Sequence, residues 1–252
     1  MGVVAEPHPT LAELMETVEY APGRWADVFG GPPDPVALLW HGTQTDSRAA
    51  VRGLAEAIAG HGICVVAPDW NSHAADHGRA DLLGSVQFAQ ARAGGPGLIV
   101  IGWSLGGAAA AGLTLRAPEF NVSVAQTICL GGAFMVDDPI SGRPVLDRVA
   151  DGTARAPFTL LSGNADDVVP TSVSTEFAAA LRGIDWPVEV VELDADHGSI
   201  AGARYDPDHD RYEAADDPAT RAVVDQVAAR IAALRDFGAF PFAQRRFSRR
   251  SR

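Results

Sequence analysis

Short strand-length stretches recur along the chain at 36–40 (VALLW), 63–67, 98–102, 122–130 and 157–161, the first three continuously apolar or small. The continuously apolar stretches predict strands buried on both faces of a sheet, and the other two read as further strands. The segment 187–193 (PVEVVEL) alternates instead and predicts a half-buried strand. Between these runs the apolar positions move to helical spacing. Val51, Leu54, Ala55 and Ile58 predict a helix over 47–59, stopped by Gly60 and Gly62. Leu82, Leu83, Val86 and Ala89 predict another over 76–93. Further helices are predicted at 108–115, 171–181 and 217–237. Residues 17–29 predict an early edge strand or hairpin turning at Pro22-Gly23 and ended by Pro32, Pro33 and Pro35. From 134 to 156 the pattern dissolves into Asp, Gly, Pro and Arg, as in a connector or minimal lid. Strands separated by helix-length segments predict an α/β fold, a mostly parallel sheet with helices on both faces, in a single domain over 1–240.

Composition adds limits more than detail. An apolar fraction of 47% with 21% charged residues fits a globular chain with a substantial core. The net charge is −12, and five of the arginines (Arg245, Arg246, Arg249, Arg250, Arg252) fall in the last twelve residues, so residues 1–240 carry −17. Such a body repels nucleic acid and anionic membranes, and the basic end reads as a disordered tail. No apolar run approaches the ~20 residues of a bilayer crossing, and the start has neither a basic n-region nor an apolar h-region. The expected location is cytoplasmic, as a monomer or homodimer. Every cation is arginine. The absence of lysine removes serine–lysine catalysis, Schiff-base chemistry and a P-loop. Cys64 and Cys129 lie inside apolar runs and read as reduced core residues.

Candidate chemistry concentrates at 98–111, LIVIGWSLGGAAAA. Gly102-Trp103-Ser104-Leu105-Gly106 fits G-x-S-x-G, with an apolar strand before it and an alanine-rich helix after it. In that setting a serine sits on a sharp strand-to-helix turn. Its hydroxyl leaves the sheet, and the next backbone N–H and the helix N-terminus face the same point. In parallel sheets functional groups collect at the carboxyl ends of strands. At such ends lie Ser104, then Asp166 or Asp167, then His197, giving the chain order Ser, Asp, His.

Four landmarks in this order make the chain resemble α/β-hydrolase-fold serine esterases, in the style of compact bacterial carboxylesterases and dienelactone-hydrolase-like proteins. They are His41-Gly42, GWSLGG around Ser104, GNADDVVP around Asp166 and DHG around His197, spanning roughly residues 35–235. The resemblance implies Ser104 as nucleophile, His197 as general base and Asp166, by G-x-x-D-x-x-V-P, as the orienting carboxylate, with Asp167 the adjacent competitor. It implies an oxyanion hole from the N–H groups of Thr43 and Leu105. Gly42, Gln44, Trp70 and Trp103 are the expected substrate contacts, and His41 is expected to brace the oxyanion loop. Dienelactone hydrolases proper carry cysteine at the turn, so serine points to ordinary ester cleavage. The implied substrate is a small-molecule ester of small to medium acyl group, cleaved through an acyl-enzyme without metal or organic cofactor. The same triad would serve perhydrolysis, acyl transfer or amide cleavage, and a non-catalytic binding module is the reading from another class.

Each residue has a plainer competitor: Ser104 as a small residue in a tight turn, His197 as a capping or surface histidine. His73, Asp76 and His77 have i, i+4 spacing on the expected helix, but no third ligand is evident, and they read as lining the pocket mouth. The run from Asp206 to Asp217 opens as D-x-D-x-D. It lacks the Gly and Glu of an EF-hand, having Arg211 and Asp217 in their places, and reads as a solvated loop.

Overall fold

The computed structural model describes residues 15–31, 35–95, 97–147, 149–150 and 154–237. The prolines Pro32 and Pro33, the arginine-rich end at 241–252 and parts of the expected connector lie outside the described residues.

Eight strands form one sheet in the order β1-β2-β4-β3-β5-β6-β9-β10. These are β1 Met15–Ala21, β2 Arg24–Phe29, β3 Val36–Trp40, β4 Cys64–Pro68, β5 Leu98–Trp103, β6 Val124–Leu130, β9 Phe158–Gly163 and β10 Val188–Leu193. The β1–β2 and β2–β4 pairings are antiparallel, and every other pairing is parallel. The continuous apolar runs are explained by two separate cores. In β3, Val36, Leu38 and Trp40 face one core, with α2 Arg79–Gln90, α3 Leu105–Leu115 and α4 Thr171–Gly183. Ala37 and Leu39 face the other, with α1 Arg52–Ala59 and α5 Pro218–Phe237. A strand covered on both sides has no position for a polar residue, so it does not alternate.

Differences from the expected elements have local causes. The helix expected over 76–93 starts at Arg79, because Gly78 is left-handed (φ 79°) and Asp76 accepts from the N–H groups of Gly78 and Ala80. The helix expected from 108 starts at Leu105, directly after the serine turn. The expected loop after 197 contains a hairpin, β11 Ala203–Asp206 with β12 Arg211–Ala214. The connector carries a two-residue ladder, β7 Asp137–Asp138 with β8 Arg143–Pro144, and is docked on α3. There the buried Asp138 carboxylate pairs with Arg116 and fills the space that a Cβ on Gly112 would need. No described helix is long and apolar enough to cross a membrane.

Candidate active site

The parallel register aligns the strand ends. Trp40 pairs with Gly102, Trp103 with Leu130, and Gly163 with Leu193. The segments that follow, carrying His41, Ser104, Gly131, Asp166 and His197, therefore leave one edge of the sheet.

Ser104 sits at φ 55°, ψ −120°, a backbone conformation that costs a non-glycine residue on the order of 1–3 kcal/mol. Close approach enforces the flanking glycines: a Cβ on Gly102 would lie 2.0 Å from the Gly106 carbonyl oxygen, and one on Gly106 would lie 2.5 Å from that of His41. The turn is fastened to the next strand and its loop. Ser104 N–H donates to Leu130 O (3.0 Å), and Ser104 O accepts from Gly107 N–H (2.9 Å) and Ala133 N–H (3.0 Å). The residue keeps 9% of its surface exposed.

His197 Nδ1 lies 2.8 Å from Asp166 Oδ2, both side chains being buried. Asp166 Oδ1 accepts from the N–H groups of Val168 (2.9 Å) and Val169 (2.7 Å), so the carboxylate is held on both oxygens. Asp167 is exposed and outside this pair. Among the described residues no hydrogen bond joins the Ser104 hydroxyl to the His197 ring, but the two share neighbours. Trp103, preceding the serine, donates its indole N–H to His197 O (2.7 Å) and lies 5.5 Å from the imidazole between ring centres. Gly131, at φ 49°, follows the residue that holds Ser104 N–H. A Cβ there would lie 2.9 Å from Asp166 Oδ2 and 3.3 Å from His197 Nδ1.

The loop after β3 faces the serine from the other side. A Cβ on Gly42 would lie 3.1 Å from Ser104 Cβ. His41, fully buried, accepts at Nε2 from Ser47 N–H (3.2 Å) and Trp70 N–H (3.3 Å), while Nδ1 lies 2.9 Å from Gly42 O. Two donors at Nε2 and an acceptor at Nδ1 define a neutral ring with its proton on Nδ1. Burial lowers its pKa to about 4. Among the described residues neither Thr43 nor Leu105 donates its backbone N–H to another group of the chain.

Several expected contacts are corrected. Trp70 and Trp103 are 0% and 1% exposed, and their indole N–H groups are committed to His41 O and His197 O, so neither side chain is available to a substrate. Gln44 borders a cleft of about 470 Å³ with Thr43, Thr45, His73, Tyr205 and Tyr212. Its amide, however, is bonded to the Tyr212 main chain and Ser47 Oγ. His73, Asp76 and His77 lie on turns ahead of α2 and not on a helix, and Asp76 acts as its cap. Asp206, His209 and Glu213 bring potential ligand atoms within 4.8 Å of one another, yet they are largely exposed, and His209 and Asp206 are bonded to each other. Gly131 and Tyr212 were not singled out from the sequence. Gly131 reads there only as a strand end, and Tyr212 lies in an acidic stretch without periodicity.

A mixed sheet in this order, with helices on both faces and a serine turn after its central strand, defines the α/β-hydrolase fold. Solved structures of Thermogutta terrifontis esterase 2 share it. The native form aligns with TM-score 0.68 at 16% identity, over 94% of this chain and 96% of that one. The form phosphoramylated by tabun gives 0.67 at 17% over 92% and 98%, and the propionate-bound form 0.66 at 18% over 90% and 97%. No protein-family model and no curated protein sequence matches the chain.

Proposed function

We propose that this protein is a serine hydrolase of carboxylic esters, with Ser104 as nucleophile, His197 as general base and Asp166 as the carboxylate that orients it. The observation that carries the proposal is the buried Asp166–His197 hydrogen bond, set beside a serine on a strained turn and two uncommitted N–H groups. A serine hydroxyl attacks poorly at neutral pH until an imidazole takes its proton. With Nδ1 held by Asp166, Nε2 is free for that step, and the carboxylate stabilises the imidazolium that results. The Ser104 oxygen bonds to the ester carbonyl carbon, and the negative oxygen formed is met by the N–H groups of Thr43 and Leu105 and by the α3 N-terminus. His197 then returns its proton to the departing alcohol. Water repeats the sequence on the acyl-enzyme, releasing the acid and regenerating the hydroxyl. Each step uses groups of this chain, a small-molecule ester and water.

Small to medium acyl groups are the proposed substrates. In support, the described connector is docked against α3 through the Asp138–Arg116 pair. The Thermogutta esterase, which shares the fold, is described with propionate and with butyrate bound, and as phosphorylated by paraoxon. A fluorophosphonate probe is expected to label the wild type and not Ser104→Ala. On a p-nitrophenyl ester series, kcat/KM is expected to peak at short acyl chains; rates rising through octanoyl and longer esters would overturn the acyl preference, and absent labelling would overturn the hydrolase reading.

A further inference from the structure

Gln44 stands beside Thr43, yet its amide is bonded to a residue 168 positions away. Its Oε1 accepts from Tyr212 N–H (2.7 Å), and its Nε2 donates to Tyr212 O (3.1 Å) and to Ser47 Oγ. Accepting from the N–H and donating to the C=O of one residue reproduces the exchange between paired strand residues. The amide thus acts as a neighbouring strand to the outer edge of β12, whose other edge pairs with β11. Arg211 adds a bond from the hairpin to Ser47 Oγ (3.4 Å), and Ser47 N–H in turn holds His41 Nε2. Inward, the Tyr212 ring meets Trp103 edge-on (5.0 Å, 89°) and His197 (5.8 Å, 62°). Tyr212 therefore touches the ring that precedes the serine and the imidazole itself, while its main chain is tied to the loop carrying Thr43.

We propose that Gln44 is a positioning residue: by clamping the 42–47 loop to Tyr212 it fixes where the Thr43 N–H lies relative to Ser104 and His197. The inference rests on the esterase reading. A donor set at the wrong distance from the developing oxyanion loses transition-state stabilisation while leaving ester binding in place, so the effect belongs in kcat and not in KM. The loop otherwise keeps the Gly42 O contact to His41 Nδ1 and the Asp46 N–H bond to Trp70 O, and just beyond it Arg48 N–H donates to Asp69, so the clamp adjusts position without carrying the fold.

The test is Gln44→Met, which keeps length and loses both bonds to Tyr212, with Gln44→Leu as a second apolar replacement. Both are expected to lower kcat about 10- to 100-fold on p-nitrophenyl butyrate, with KM within about threefold of wild type. Tm should stay close to wild type. An alkylboronic acid, whose tetrahedral adduct on Ser104 places an oxygen where the oxyanion forms, is expected to lose affinity in parallel with kcat. Amide hydrogen exchange at Tyr212 should accelerate in the same variants. Wild-type kcat in both variants would overturn the inference, as would a fall in kcat that comes with a collapse of Tm or an equal rise in KM. If the wild type itself neither hydrolyses esters nor takes a fluorophosphonate label, the esterase reading fails first. If the wild type is active and labelled while the variants match it, only the role of Gln44 fails.

Discussion

The two halves of the site are built on opposite principles. On the Asp166 side the carboxylate is fully engaged: it accepts from two backbone N–H groups and from His197, out of contact with water. On the Ser104 side the backbone is strained, and the N–H groups of Thr43 and Leu105 are uncommitted. A donor without a partner and a serine at positive φ each disfavour the resting fold. They persist because neighbouring packing fixes them, through close approaches at Gly42, Gly102 and Gly106. The lesson is one of timing. In the proposed reaction the acid–histidine half is complete before substrate arrives, and the serine half is completed only by the charge that forms on the substrate.

The contrast can be broken from either side. Ser104→Ala removes the proposed nucleophile and is expected to lower kcat by at least ~10⁴-fold with folding intact, read by ester turnover and Tm. Next comes Asp166→Asn. Replacing an orienting carboxylate permits the wrong imidazole tautomer and is expected to cost up to ~10⁴-fold in kcat. Asp167→Asn should stay within about threefold, because that side chain is exposed. A larger loss in Asp167→Asn would reverse the assignment of the acid. Gly131→Ala places a methyl group against Asp166 and His197 at a left-handed position. It is expected to lower both Tm and kcat, the latter about 10- to 100-fold, and an unchanged kcat would separate Gly131 from the pair.

The last effect is on stability and concerns His41. Its pKa is about 4 in the fold and about 6.5 when unfolded. The unfolded chain therefore binds the extra proton as pH drops below 6.5. The stability present above that pH is lost progressively down to pH 4, by on the order of 3 kcal/mol. His41→Asn is expected to flatten the fall of Tm over this window, and an unchanged slope would place the titration elsewhere.

Much of this was legible in the residues. The continuous run VALLW and the motif around Ser104 were readable because burial on two faces and the sharp turn each demand a narrow set of side chains. The order Ser, Asp, His followed from placing three residues at strand ends. Trp70 and Trp103 read in the sequence as substrate contacts because a tryptophan near a site looks the same there whether its ring faces a cleft or the core. Here each indole N–H found a carbonyl inside. The β11–β12 hairpin leaves no trace because its strands, ARYD and RYEA, are short and mostly exposed and carry charged residues beside the tyrosines, so no apolar alternation marks them. The constraint on Gly131 is not legible in the sequence because it comes from Asp166 and His197, distant in sequence and adjacent only after folding.

Trp103 occupies the second position of the serine motif, where the pattern accepts any residue. In this chain that freedom is lost, because the indole anchors the backbone of the histidine 94 positions later. Redesign of the turn, or transplantation of GWSLGG into another scaffold, would have to carry an acceptor carbonyl for that ring. Otherwise the grafted serine would arrive without the His197 backbone that this ring holds.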